Sequence, residues 1–313
     1  MTQRIQAAFC MDSVFTDYAK IAAVSIYSAA LNCSVPLDIH IVTVKEGRGE
    51  AQTIDDLRSM VEQNDVRIIL HEVDLTSLSV SEERKKYIGT LLRLFLPEIL
   101  AEDKVIYLDC DLVINLDLKE LWDEDTRGNS IAGAVDEGIC SKYSRSKMRS
   151  VIGSDKDYLN AGVLVMNLKK IRGEHSLFSE SMDYLDSCMN AIMRDQDALN
   201  HIFINDKTVL DRKYNRFAST VSAEEGFEDK IIHFAGKKPW KVIRSESGYQ
   251  FWRYFQMMPW MSDPQESWKW TKDLVDISTL AETLSDHGKI GDLVEVFFKT
   301  FKLKLFREIG YDK

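Results

Sequence analysis

Two acids separated by one residue, Asp109-Cys110-Asp111, stand directly after the apolar run Val105-Ile106-Tyr107-Leu108. A run of that composition predicts a buried strand, so both carboxylates emerge where the strand leaves its sheet. In α/β folds ligands bind outside that carboxyl edge. Residues i and i+2 of an extended segment point the same way, so both acids can face one hard cation such as Mg²⁺ or Mn²⁺. The pattern alone is common: with 50 acids in 313 residues, roughly eight acid-x-acid triplets arise by chance. A solvated acidic turn explains the tripeptide equally well.

Further residues of chemical interest are spread along the chain. His233 follows the apolar pair Ile231-Ile232, where a core-edge histidine bonded to backbone is the ordinary explanation. Arg93 lies in Thr90-Leu-Leu-Arg-Leu, close to the basic cluster Arg84-Lys85-Lys86, and reads otherwise as a surface helical arginine. Asp136 ends the apolar run Ala132-Gly-Ala-Val, and Asn160 opens another. Asp195 and Gln196 open a helix, where Asp195 has an N-cap as its bland alternative. No G-x-G-x-x-G follows the first strand and no G-x-x-x-x-G-K-[ST] occurs anywhere. A bound diphosphate would therefore need neutralising by something other than a glycine-rich loop, and a carboxylate-held metal is the obvious substitute.

The elements that must position these groups are legible in outline. Strands are expected at Arg4–Cys10, Leu37–Val44, Arg67–Val73, Lys104–Leu108, Ile131–Val135 and Gly162–Asn167. Helices are expected at Phe15–Cys33, Gln52–Gln63, Thr90–Leu100 (stopped or bent at Pro97), Leu177–Met193 and Asp197–Ile204. Strand–helix alternation predicts a mostly parallel sheet with helices on both faces. No repeat, low-complexity segment or Gly/Ser/Pro linker interrupts it. We expect one catalytic domain over residues 1–260 and a helical C-terminal segment over 261–313.

Composition bounds the function. A hydrophobic fraction of 45% supports a sizeable core and argues against disorder. A net charge of −10 argues against a general nucleic-acid binder. Five scattered cysteines without a CxxC pair fit a reducing compartment better than a disulfide framework or structural zinc. The longest uncharged stretch, Ile21 to Leu37, is too short and too polar to span a membrane. With no signal-peptide pattern at the start, a cytoplasmic location is expected. Near the end, Leu293 to Ile309 mixes Leu293, Val294, Val296, Phe297, Phe298, Phe301, Leu305 and Phe306 with Lys299, Lys302, Lys304 and Arg307. That pattern suits an interfacial helix touching a membrane surface, or equally an amphipathic helix packed on protein.

Four motifs taken in order resemble glycosyltransferase family 8. They are Lys104-Val-Ile-Tyr-Leu-Asp-Cys-Asp-Leu-Val-Ile with Asp117-Leu-Lys-Glu-Leu-Trp122, Leu159-Asn-Ala-Gly-Val-Leu-Val-Met-Asn-Leu168, Asp195-Gln-Asp-Ala-Leu-Asn200, and His233-Phe-Ala-Gly-Lys-Lys-Pro-Trp240. The resemblance extends from the first strand to about Trp252. It implies a GT-A type, Rossmann-like fold and a retaining, metal-dependent transfer of a hexose, galactose or glucose, from a UDP-sugar to a saccharide or glycolipid acceptor. Lipopolysaccharide or another cell-surface glycan would be the product.

Residue by residue, the resemblance implies that Asp109, Asp111 and His233 ligate Mn²⁺, with Mg²⁺ the alternative. Arg93, Asp136, Asn160, Asp195 and Gln196 would meet the donor sugar, the last two lying under the anomeric carbon as the catalytic pair. Asp12, Tyr18 and Cys110 would meet the nucleoside, and Gly236 and Lys238 the diphosphate. Two departures from the family pattern stand out. One residue is missing between Gly236 and Lys-Pro-Trp, which leaves Lys237 as an alternative to Lys238. Five residues separate Asp12 from Tyr18 where the family has two.

Two other readings compete. Val105–Val113 also fits the nucleophile motif of haloacid-dehalogenase phosphatases, with Asp109 attacked by phosphate and Asp111 as general acid. A non-catalytic sugar-nucleotide-binding protein is the third reading.

Overall fold

The computed structural model describes residues 4–49, 51–77, 80–139, 142–153, 157–188, 190–222, 224–236, 238–240 and 246–271. The segment Leu293 to Ile309, Lys237 and Cys140 lie outside the described residues.

Strands β1 (Ile5–Cys10), β2 (Leu37–Val44) and β3 (Val66–Val73) alternate with helices α1 (Asp17–Leu31) and α2 (Gln52–Val61). Short helical pieces follow: α3 (Glu82–Lys85), α4 (Ile88–Leu91) and α5 (Leu96–Ile99), the last two joined by a 3₁₀ turn over Leu92–Phe95. The expected helix over Thr90–Leu100 is thus broken into turns, with Pro97 seated in the first turn of α5 where its missing N–H costs nothing. Then come β4 (Val105–Leu108), β5 (Leu112–Ile114), α6 (Leu118–Trp122), β6 (Ile131–Val135), α7 (Arg145–Ile152), β7 (Leu159–Met166), α8 (Leu168–Glu174) and α9 (Leu177–Ser187). Next are α10 (Asp195–Ile202), β8 (Lys207–Val209), β9 (Arg216–Phe217), β10 (Ile231–His233), α11 (Glu246–Phe255) and α12 (Pro264–Thr271).

Seven strands form the main sheet in the order β3-β2-β1-β4-β7-β6-β8. Pairings β1–β2, β2–β3, β1–β4 and β6–β8 are parallel. Strand β7 runs antiparallel to both β4 and β6. Strands β4 and β7 are buried along their whole length and β1 at every residue but Gln6, so the core lies on both sides of the sheet centre. Around them Leu92, Leu94 and Leu96 from the helical turns, Leu168 and Ile171 from α8 and Leu199 and Phe203 near α10 form one buried cluster.

A second, three-stranded sheet has the order β5-β10-β9. Helix α1 borders it, and this explains why polar residues interrupt an otherwise buried alanine-rich helix. Ser25 Oγ accepts the Leu112 N–H at 2.9 Å and shares its one proton between the main-chain carbonyls of Cys110 and Leu112. Ser28 Oγ accepts the Ile114 N–H at 3.1 Å, and Asn32 donates to the Ile114 carbonyl at 3.0 Å. These side chains do for one edge of β5 what a neighbouring strand would do.

The chain divides into two compact units, one of residues up to 217 plus 228–233, the other of 218–227 plus 234 onward. Within the second unit Phe251 packs against Phe234, Trp240, Trp252 and Phe255, and Phe255 meets Trp260 and Trp270. Among the described residues no helix is long and apolar enough to cross a membrane.

Candidate functional site

The site begins with the way β4 ends. Asp109 donates its N–H to the Gly162 carbonyl at 2.8 Å, which extends the β4–β7 pairing by one residue. The chain then turns through Cys110 into β5, so Asp111 sits immediately before that strand. Antiparallel pairing of β5 with β10 sets His233 opposite Leu112. Register alone therefore delivers an imidazole from 122 residues downstream to the side of Asp111. His233 Nε2 lies 3.3 Å from Asp111 Oδ1 and 3.8 Å from Asp109 Oδ2.

A side chain at position 162 would collide with this group. A Cβ there would stand 2.4 Å from His233 Cε1 and 2.9 Å from both Asp109 Oδ2 and Asn160 Oδ1. Two carboxylates and one imidazole around a position kept free of a side chain suit a divalent cation of intermediate hardness. The residues present therefore fit the metal that the sequence motif implies.

Asp109 is held on its far side. Tyr107 OH donates to Asp109 Oδ1 at 2.6 Å, and Arg93 Nη2 donates to the same oxygen at 3.0 Å. Both bonds engage Oδ1, which leaves Oδ2 turned toward His233. Arg93 is 5% exposed and reaches further, to the Ala161 carbonyl at 2.6 Å and, through Nε, to Asp195 Oδ2 at 3.1 Å. Burial works against its charge, and Asp109, Tyr107 and Asp195 outweigh that, so the guanidinium stays charged. Arg93 thus fastens the first acid of the metal group to the first acid of α10. Burial raises the Asp195 carboxyl above its usual range, with Arg93 opposing the shift.

Beside this lies a row of buried amides and an acid. Asp136, at the end of β6, accepts from Gly138 N–H, from Asn160 Nδ2 at 2.8 Å and from Gln196 Nε2 at 2.9 Å. Gln196 Oε1 in turn accepts the Ala161 N–H at 2.9 Å. Asp136, Asn160, Asp195 and Gln196, expected from sequence to face one sugar, are thus brought together, and Arg93 joins them through Asp195. Arg194, just before α10, has φ 49° and ψ −114°, a sparsely populated conformation for a residue with a side chain. Its guanidinium stacks over Tyr87 at 3.5 Å.

The nucleoside candidates divide. Asp12 is exposed, just past β1. Tyr18, in the first turn of α1, is 38% exposed, so it is not the ordinary core aromatic that its helix would suggest. Its hydroxyl is nonetheless pushed above the normal range, by burial first and then by Cys110, Asp111, Asp109 and Asp12. Cys110 is buried and donates its thiol to the Cys10 carbonyl at 3.3 Å. Burial raises that thiol far above its ordinary value, so it stays protonated. Gly236 and Lys238 belong to the second unit. Gly236 has φ 122°, open only to glycine, and Lys238 donates to the Phe234 carbonyl at 2.9 Å.

Three residues of consequence escape a reading by motif. Asp197, third in the Asp-Gln-Asp run, is wholly buried and accepts from Tyr143 OH, Tyr158 OH and Met193 N–H, so its role is to hold α10 in place. Tyr107 reads from sequence as a strand residue and nothing more. Asn215, in the 3₁₀ turn Arg212–Asn215, bonds His233 Nδ1 at 2.8 Å, and only its place before a two-residue strand could have marked it. In a second group of possible metal ligands, Glu174, His175 and Asp206, Asp206 is already paired with Lys170 at 2.5 Å and His175 with Glu180 at 2.9 Å.

With this geometry in view, comparison with known proteins defines the class. Residues 8–244 match glycosyl transferase family 8, and the chain belongs to that family. It is 29% identical over 217 residues to glycosyltransferase GlyA of Streptococcus pneumoniae serotype 4, covering 66% of this chain and 29% of that one. A putative glycosyltransferase of Haemophilus influenzae is 28% identical over 201 residues, covering 63% and 60%. The chain thus spans less than a third of GlyA and under two thirds of the other. Among solved structures, the WbbM bifunctional glycosyltransferase superposes with a TM-score of 0.71 at 19% identity, covering 88% of this chain and 52% of that one. Galactosyltransferase LgtC, solved with donor and acceptor sugar analogues, gives 0.65 at 24% identity, covering 82% and 99%. The expected GT-A type fold, a mostly parallel sheet flanked by helices, is the fold observed.

Proposed function

We propose that this chain is a divalent-metal-dependent glycosyltransferase that moves a hexose, galactose or glucose, from a UDP-sugar to a saccharide hydroxyl with retention of configuration. The observation that carries the reading is the convergence of Asp109, Asp111 and His233 around Gly162, beside the bonded row of Asp136, Asn160 and Gln196. The mixed carboxylate and imidazole set favours Mn²⁺, with Mg²⁺ the alternative. When bound, the cation would stabilise the charge that builds on a departing diphosphate.

The chain's own residues would do the rest. Asp109 and Asp111 neutralise the cation, and Tyr107 and Arg93 keep the Asp109 carboxylate from turning away. Asp136, Asn160 and Arg93 offer directed polar groups to sugar hydroxyls. Gln196 and Asp195, at the start of α10, face the sugar opposite the leaving group; two bonds fix the Gln196 amide and Arg93 fixes Asp195, so neither must reorganise during transfer. On the family pattern we assign Tyr18, Asp12 and the Cys110 main chain to the nucleoside and Gly236 and Lys238 to the diphosphate. The acceptor we propose is a saccharide or glycolipid of a cell-surface glycan, such as lipopolysaccharide. The enzyme would then work in the cytoplasm, at the inner membrane face, with residues Leu293 to Ile309 as a basic surface anchor. The phosphatase reading gains no support, since the family matched is one of glycosyl transferases.

A donor screen by hydrolysis tests the proposal. Turnover of one UDP-hexose with Mn²⁺, lost on chelation and restored on adding metal back, is the expected result. Equal turnover in chelator, or none with any sugar nucleotide, would contradict it.

A further inference from the structure

The orientation of His233 follows from one backbone amide. The Gly162 N–H meets a side-chain atom of Asn160 at 2.9 Å. A backbone N–H can only donate, so that atom is the Asn160 amide oxygen. The same oxygen faces Asn215 at 2.8 Å, and the Asn215 atom there must be its amide nitrogen. The Asn160 nitrogen then meets the Asp136 carboxylate at 2.8 Å, as the assignment requires. The remaining Asn215 atom is its oxygen, and it faces His233 Nδ1 at 2.8 Å. An oxygen accepts, so Nδ1 carries a proton. In the neutral ring the lone pair therefore lies on Nε2, the nitrogen beside Asp111 and Asp109.

Asn160, Asn215 and His233 are 5%, 1% and 4% exposed, so water does not compete for these bonds. The β10–β9 pairing, with Ile232 opposite Arg216 and His233 opposite Phe217, brings Asn215 to the histidine. Arg216 Nη1 meets both carboxylate oxygens of Glu137, at 2.5 and 2.6 Å, and this ion pair anchors that short strand.

We propose that Asn215 is a positioning residue for the metal group. It holds His233 as the Nδ1–H tautomer, so that Nε2 is presented to a divalent cation shared with Asp109 and Asp111. Through Asn160 the same amide ties the ligand to Asp136, so cation site and sugar row share one hydrogen-bonded scaffold. The cation in this statement rests on the metal-dependent reading above; the tautomer does not. Outer partners that fix the ring of a metal-bound histidine commonly change metal affinity 10–100-fold when removed.

The test uses the full chain and Mn²⁺ alone as the probe, with imidazole ¹⁵N spectra of the metal-free protein and Mn²⁺ uptake followed by paramagnetic resonance. In the wild type, spectra taken at a pH where the ring is neutral should show the His233 proton on Nδ1 and the lone pair on Nε2. Asn215→Leu should lose this tautomer preference and bind Mn²⁺ roughly 10–100-fold more weakly. Asn215→Asp keeps an acceptor for Nδ1–H while losing the donor to Asn160, and should bind Mn²⁺ more tightly than Asn215→Leu, recovering part of that roughly 10–100-fold loss. Because Asn215→Asp supplies the same acceptor, it separates tautomer control from a general packing role. A neutral His233 ring with its proton on Nε2 in the wild type, or folded Asn215→Leu binding Mn²⁺ as wild type does, would overturn the proposal alone. No Mn²⁺ uptake by the wild type would overturn both it and the metal reading of the site.

Discussion

At the scale of single residues, what this site needs most is an absence. Position 162 has room for glycine only, with the His233 ring and the Asp109 carboxylate standing where a Cβ would go. Gly162→Ala should therefore push both ligands apart and lower Mn²⁺ affinity by at least tenfold, read by the same Mn²⁺ titration, while circular dichroism stays native. Gln196 offers a kinetic test. Its amide is already fixed by Ala161 and Asp136, so an interaction with the reacting carbon would strengthen only as charge develops. Gln196→Ala should lower kcat more than it raises the donor KM, and a pure KM effect in steady-state kinetics would contradict that role. The two acids were legible because they follow an apolar run. Gly162 lay within a motif that drew attention to its neighbour Asn160 instead. Asn215 and Tyr107 were not legible, because a positioning role depends on partners far away in sequence.

At the scale of elements, the long buried strands announced themselves, and β2 and β6 have the bounds that their apolar runs predict. Strands β5, β9 and β10, of two or three residues each, are too short for periodicity to register. Yet these are the strands that bring His233 and Asn215 to the acids. The antiparallel course of β7 is likewise invisible in its composition, since a fully buried strand reads the same in either direction. Helix α1 holds the edge of β5 through Ser25, whose single hydroxyl serves one N–H and two carbonyl partners. Ser25→Ala should cost about 1–3 kcal/mol, the usual penalty for buried polar groups left without partners. Urea unfolding measures it, and because Asp111 adjoins β5, Mn²⁺ affinity should fall in the same variant.

At the scale of the whole molecule, stability should depend on pH through a pair of histidines on β2 and β3. His40 Nδ1 lies 2.9 Å from His71 Nε2, and His40 Nε2 lies 2.9 Å from Gln6 Oε1, with Glu102 at 3.9 Å and Asp38 also acting on the ring. Burial lowers both from the usual 6.5, and at His40 it prevails over the opposing pull of Glu102 and Asp38. A folded state that resists protonation binds fewer protons than the unfolded chain below that value. Its stability is therefore full above about pH 6.5 and declines as pH falls below it. Urea midpoints for metal-free protein should drop between pH 7.5 and 5.5, and His40→Gln should flatten that dependence.

The central claim is that Asp109, Asp111 and His233 form one cation site through which a nucleoside diphosphate is recognised. Calorimetry of UDP binding, with Mn²⁺ and then with chelator, tests it most directly in wild type and in Asp111→Asn. Wild type should bind UDP at least tenfold more tightly when Mn²⁺ is present, and Asp111→Asn should show the weak, metal-independent affinity under both conditions. Equal UDP affinity in all four measurements would contradict the account.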